Sequence, residues 1–135
     1  MNTNEKRDTL DIKVKLSTLW IVVMFNMLFA DVLGFMTPDF LVILETGMAG
    51  EVRITQGILL VFAVILEIPI IMIILSRVLK YKLNRLANII ASVITILFVI
   101  GGGSLDLHYI FFASVEVLCM LLIIWYSWKW PEQES

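Results

Sequence analysis

Residues that carry chemistry are scarce in this sequence. Its 135 residues include one cysteine, Cys119, and one histidine, His108. A lone thiol excludes an intrachain disulfide and cannot build a zinc site. His108 with Asp106 offers two ligands, too few for a metal centre. Charged residues make up 16% of the chain, against roughly a quarter in soluble domains. The formal net charge of −2 gives no reason to expect a nucleic-acid partner. Neither end carries a lipidation motif. No small-x-small pattern follows the first apolar run, so no cleavable signal peptide is expected. Gly101, Gly102, Gly103 and Ser104 follow no strand and therefore do not form a phosphate-binding loop. No haem ligand pair, cysteine pair or nucleophile–base constellation is visible. A membrane enzyme or a quinone-linked redox accessory is thus disfavoured, and no cofactor is expected. There is no internal repeat.

Apolar sequence is what the chain has in abundance, at 60% of all residues. About 20 apolar residues in a helix cross the hydrocarbon of a bilayer. Four stretches reach or approach that length, at about 16–36, 56–79, 86–103 and 109–128. They fill most of residues 1–135, leaving no room for a separate soluble domain. The expected fold class is therefore all-α: an integral membrane four-helix bundle, forming one domain.

Charge placement orients the bundle. Lys6, Arg7, Lys13 and Lys15 precede the first stretch, and Arg77, Lys80, Lys82 and Arg85 lie between the second and third. Lys129 follows the fourth, and Arg53 alone belongs to the opposite side. Basic residues stay on the cytoplasmic side, so both termini and the middle loop are expected there. Trp125, Tyr126, Trp128 and Trp130 form an aromatic anchor at the inner end of the fourth stretch. The first outer loop contains Thr37, Pro38 and Asp39. These read as an N-cap, a first helical proline and an acid at the positive helix end. A short interfacial helix through Phe40 to Leu44 is expected, closed by Gly47 or Gly50.

Three acids interrupt the apolar stretches. Ionisable groups in hydrocarbon are costly, face the bundle interior and often mark function. At 1.5 Å per residue, Glu67 lies roughly 16 Å past Gln56. Glu116 lies roughly 10 Å below the outer surface and Asp31 roughly 8 Å below it. Asp31 and Glu116 are expected to share one outer-half site, with Glu67 beneath it and His108 above. No basic residue lies within a span to balance them. Either an acid holds a proton, or Arg53 or His108 reaches down. The alternative is that neutral carboxyls hydrogen-bond across helices as glue. Helical spacing groups Trp20, Met24, Met27, Asp31 and Gly34 on one face. It groups Leu60, Ala63, Glu67, Ile70 and Ile74 on a second, and Asn88, Ser92, Thr95, Val99 and Gly102 on a third. The fourth face is Tyr109, Phe112, Glu116, Cys119 and Ile123. The third reads as a packing seam of small and polar residues, and Cys119 as a packing thiol.

Leu66-Glu67-Ile68-Pro69, Asn84-Arg85-Leu86-Ala87-Asn88, and His108-Tyr109 followed by Glu116 and the tryptophan cluster carry a resemblance. The chain resembles small bacterial four-span membrane proteins of unknown function, broadly DoxX-like in plan. That likeness implies a prokaryotic cytoplasmic membrane and a four-helix bundle, and no particular activity. Four spans and a central acid are also similar to the small multidrug transporters. Their essential glutamate lies in the first span, where this chain has Asn26 and Asp31, so that function is not carried over. Two functions fit these residues. One is a non-enzymatic protein whose acid-lined cavity, with Asp31, Glu67, Glu116 and His108, binds a small cationic or lipophilic ligand, with proton coupling. The other is a small membrane subunit acting through self-association, as a homo-oligomer, or through a partner membrane protein.

Overall fold

The computed structural model describes residues 3–102 and 105–131. Four long helices carry the fold: α1 (Thr3–Gly34), α3 (Gln56–Val78), α4 (Tyr81–Gly101) and α5 (Leu107–Lys129). A short α2 (Pro38–Thr46) and a two-stranded hairpin, β1 (Met48–Ala49) with β2 (Val52–Arg53), fill the loop after α1. Each long helix packs mainly on two neighbours, in the cyclic order α1, α3, α4, α5. All four are long and apolar enough to cross a membrane, and at most 33% of any one's most apolar stretch is buried inside the protein. The rest presents leucine, isoleucine, valine and phenylalanine outward. An apolar surface of that extent needs lipid around it, so the chain is a multi-pass membrane protein.

The helix ends follow local chemistry. Thr55 is extended, and its side chain accepts the Ile58 N–H at 3.2 Å, opening α3. α2 starts as expected, with Thr37 at the cap position and Pro38 first in the helix. The Thr37 hydroxyl, however, donates back to the Gly34 carbonyl at 2.7 Å rather than capping α2, tying the short helix to the end of α1. Gly47 closes α2 at φ 70°, a left-handed conformation in which a side chain would be strained. Gly50, at φ 65°, takes the first central position of the hairpin, where a primed turn needs glycine. The hairpin has no counterpart among the sequence expectations, because its strands are only two residues each. Exposed Leu41, Val42 and Leu44 give α2 an apolar outer side, as an interfacial helix requires.

Between α3 and α4 the chain turns more tightly than charge suggested. The expected basic loop is mostly helix: α4 begins at Tyr81 and takes in Lys82 and Arg85. The Asn84 amide makes this turn by donating to the Ser76 carbonyl at 2.8 Å and the Leu79 carbonyl at 3.1 Å. It satisfies carbonyls that the end of α3 leaves open. α1 is likewise longer than its apolar part, running through the charged residues that precede it.

Leu16, Trp20, Val23, Met72, Met120 and Ile123 form the centre of the core. A polar network passes through it. Asn88, fully buried, accepts from Trp20 Nε1 at 2.8 Å and from the Ser76 hydroxyl at 3.1 Å, and donates to the Asn84 carbonyl at 2.9 Å. The Ser17 hydroxyl donates to the Ile73 carbonyl at 2.8 Å. α4 is thereby joined to both α1 and α3. At the same end, Arg85 donates to the carbonyls of Ser127 at 2.7 Å and Trp128 at 3.1 Å, and Tyr81 to that of Trp130 at 3.1 Å. These bonds clamp the start of α4 to the end of α5.

Candidate functional site

The opposite end of the bundle is built differently. Glu116, on the inward face of α5, is 2% exposed. None of the described residues hydrogen-bonds its carboxylate. It lines a cavity of about 200 Å³ together with Asp31, from the last turns of α1. The two carboxylates lie within Coulombic reach of one another. Met27, Leu66, Phe62, Phe98 and Tyr109 supply the apolar and aromatic walls. The Phe62 and Phe98 rings meet edge to face at 6.1 Å. No lysine or arginine is among the lining residues. The site thus joins two carboxyl groups to aromatic walls, with no basic residue among its lining.

Above this cavity lies a second one of about 280 Å³, between the end of α1, the underside of α2 and the start of α5. Asp31, Asp39, Asp106 and His108 line it, beside Phe35, Phe40 and Ile43. Ala30, Asp31 and Tyr109 are common to both spaces, so they form the boundary between an acidic vestibule and the inner cavity. The Tyr109 hydroxyl donates to the Val99 carbonyl at 2.8 Å, fixing the ring at that boundary. Among the described residues, no cluster of His, Cys, Asp or Glu has the arrangement to hold a metal ion.

The structure thus brings Asp31 and Glu116 to one cavity and sets His108 on the vestibule above Asp31. Glu67 is a correction. It is exposed on the outer side of α3 and lines neither acidic space. The buried residues of α3 are Pro69, Met72 and Ser76, so the expected face of Leu60, Ala63, Glu67, Ile70 and Ile74 is turned outward. α3 is apolar all round, and a helix without a polar face has no periodicity from which to read its inward side. Asn26 also stays out of the site, donating to the Val22 carbonyl of its own helix at 2.8 Å. Two wall residues went unread in the sequence. Phe62 lies off the α3 face that was expected to point inward, and Phe98 sits in an apolar run. Tyr109 did carry a signal, seven residues from Glu116 and on its helical face.

A ring of four helices, closed by polar bonds at one end and holding an acid-lined cavity at the other, defines a small multi-pass membrane protein. The chain belongs to a family of unknown function, DUF6326, whose model matches residues 2–135. No curated protein and no solved structure matches it.

Proposed function

We propose that this protein is a single four-span unit that binds a small organic cation in the Asp31–Glu116 cavity, reached through the vestibule of Asp39, Asp106 and His108. Protons compete for the same carboxylates. The reading places the protein in a prokaryotic cytoplasmic membrane with both termini inside, and keeps the DoxX-like likeness of plan. One observation carries it: Glu116 is buried, is hydrogen-bonded by no described residue, and lines a cavity walled by phenylalanine and tyrosine. A glutamate acting as interhelical glue would have a partner on a neighbouring helix. A cation or a proton supplies the missing balance instead.

Tetraethylammonium, a compact cation, tests this on the purified protein in lipid nanodiscs by thermal stabilisation and by direct titration. Binding is expected to weaken as pH falls, because protonation removes the negative charge that holds the cation. Glu116→Gln keeps the side-chain size and removes its titration, so binding should be weak at every pH. Stabilisation by tetraethylammonium that is equal in wild type and Glu116→Gln would exclude the cavity as the site.

The exposed position of Glu67 favours a second reading, self-association through α3. A carboxylate near the middle of a span costs about 2.5–3.5 kcal/mol when it faces lipid. Burial against a second copy relieves that cost if the seam offers a hydrogen-bond partner. Single-molecule counting of subunits in nanodiscs tests it, with a monomer at all lipid ratios as the excluding result.

A further inference from the structure

Tyr109 borders a third space. A groove of about 540 Å³ runs along the outer side of α5 against α4, lined by Val99, Ile100, Ala113, Val117 and Leu121 as well as Tyr109. From Tyr109 to Leu121 it follows α5 for about 18 Å. Besides the Tyr109 hydroxyl, the polar side chain among its described lining residues is Ser114, which is occupied within its own helix, donating to the Ile110 carbonyl at 2.7 Å. The groove therefore offers an apolar surface open to the bilayer. Val99 and Tyr109 are at the same time walls of the acidic cavity. The hydrogen bond from the Tyr109 hydroxyl to the Val99 carbonyl closes the boundary between the two. A single interhelical bond of this kind in a membrane is weak and opens readily.

We propose that the ligand is a cationic single-chain amphiphile, whose head sits between Asp31 and Glu116 and whose tail lies in the α4–α5 groove, entering from the bilayer past Tyr109. This rests on the cation-binding reading above and names the ligand class. Charge complementarity selects the head, since Glu116 is buried in the cavity with no hydrogen-bond partner among the described residues. Adjacency selects the tail, since the two spaces share Tyr109 and Val99 as walls. In lipid, an apolar groove gains little from hydrophobicity, because acyl chains already surround the tail. The groove instead sets where the tail must lie once the head is bound.

The test uses the full chain in nanodiscs of zwitterionic lipid. The probe is dodecyltrimethylammonium with a photoreactive diazirine near the tail end, and adducts are mapped by mass spectrometry. Adducts are expected at Val117, Leu118 or Leu121, suppressed by excess tetraethylammonium and lost in Glu116→Gln. Ser114→Phe, at an exposed position, fills the groove without disturbing the core. It should weaken the dodecyl probe about tenfold, roughly 1.4 kcal/mol, and leave tetraethylammonium affinity within about twofold. If tetraethylammonium binds but adducts ignore it, or Ser114→Phe leaves the dodecyl probe unchanged, the amphiphile proposal fails and the cation cavity stands. If neither cation binds, both readings fall.

Discussion

Truncating Asn88 should cost this protein more stability than any other single polar change in its spans. Asn88 is fully buried, and its amide oxygen serves two donors on two other helices, Trp20 Nε1 at 2.8 Å and the Ser76 hydroxyl at 3.1 Å. Its amide nitrogen bonds within α4, to the carbonyl and side-chain oxygens of Asn84. Asn88→Ala removes both interhelical bonds together and leaves the fully buried Trp20 and Ser76 donors without that acceptor. Interhelical hydrogen bonds in membrane proteins average about 0.6 kcal/mol and reach about 1.7. Two of them give about 1–3 kcal/mol, and the void left by the amide adds roughly 1 kcal/mol. A loss of about 2–4 kcal/mol is expected. Asn26→Ala is the matched control. Its amide bonds only to Val22 of its own helix, so less than about 0.5 kcal/mol should be lost. Equilibrium unfolding in mixed micelles, or steric trapping in bicelles, measures both. If Asn88→Ala costs no more than Asn26→Ala, the network does not hold the helices together and the reasoning is refuted.

Other outcomes are expected. Cysteines introduced at Glu45 and Asp106 should react with an impermeant thiol reagent from outside, and one at Lys82 only from inside; outside labelling at Lys82 would overturn the topology. The background is low because native Cys119 is buried. Glu67→Leu should stabilise an isolated protomer by about 3 kcal/mol, since it removes a lipid-facing carboxylate. Destabilisation accompanied by a drop in subunit number would instead assign Glu67 to a seam. Tyr109→Phe removes only the bond to Val99, so the dodecyl cation should bind faster, with tetraethylammonium affinity held within about twofold. An unchanged association rate would rule out Tyr109 as the barrier.

How much of this was legible in the sequence differed from helix to helix, for a physical reason. α4 mixes polar and apolar residues, so its stripe of Asn88, Ser92, Thr95, Val99 and Gly102 could be read directly; the first four are buried and Gly102, at the helix end, is exposed. α5 was equally clear, with Glu116, Cys119 and Ile123 inside. On α1, Trp20 marked the right side, while Met24 and Met27 are only half-buried. On α3 the one polar marker within the apolar run misled, because the rule that acids turn inward was the only information available. The depth count put Asp31 and Glu116 at one level, and both line one cavity, since rise per residue does not depend on which way a helix faces. The Asn84–Asn88 network was visible only as a packing seam. Its partners, Trp20 and Ser76, lie on other helices, and no local pattern joins residues 68 positions apart.

The two ends of the bundle then bear on what the protein can do with a bound ligand. The end of the bundle that carries the start of α1 and the end of α5 is tied across the helices by Asn84, Asn88, Ser76 and Trp20, and α4 is clamped to α5 by Arg85 and Tyr81. Above Asn88 on the same face of α4 come Ser92 and Thr95, buried hydroxyls without a hydrogen-bond partner among the described residues. Ser127 and Trp130 also hold unpartnered polar atoms, but they lie beyond the network, next to the clamp. A cation that leaves Glu116 inward would pass the Ser92 and Thr95 hydroxyls and then meet Asn88, whose oxygen already serves two donors. Passage therefore requires the bonds to Trp20 and Ser76 to break together, which moves α4 away from α1 and α3. In this conformation the cavity borders the vestibule at Asp31 and Tyr109, while the Tyr109–Val99 bond closes it towards the bilayer and the Asn88 bonds close the route past α4. A protein that only binds has no need to open Asn88, whereas a transporter must open it in every cycle. Asn88→Ala separates the two. If the protein only binds, the substitution lowers stability and leaves tetraethylammonium affinity unchanged. If it transports, the substitution should also speed release of the cation to the inner side of sealed vesicles.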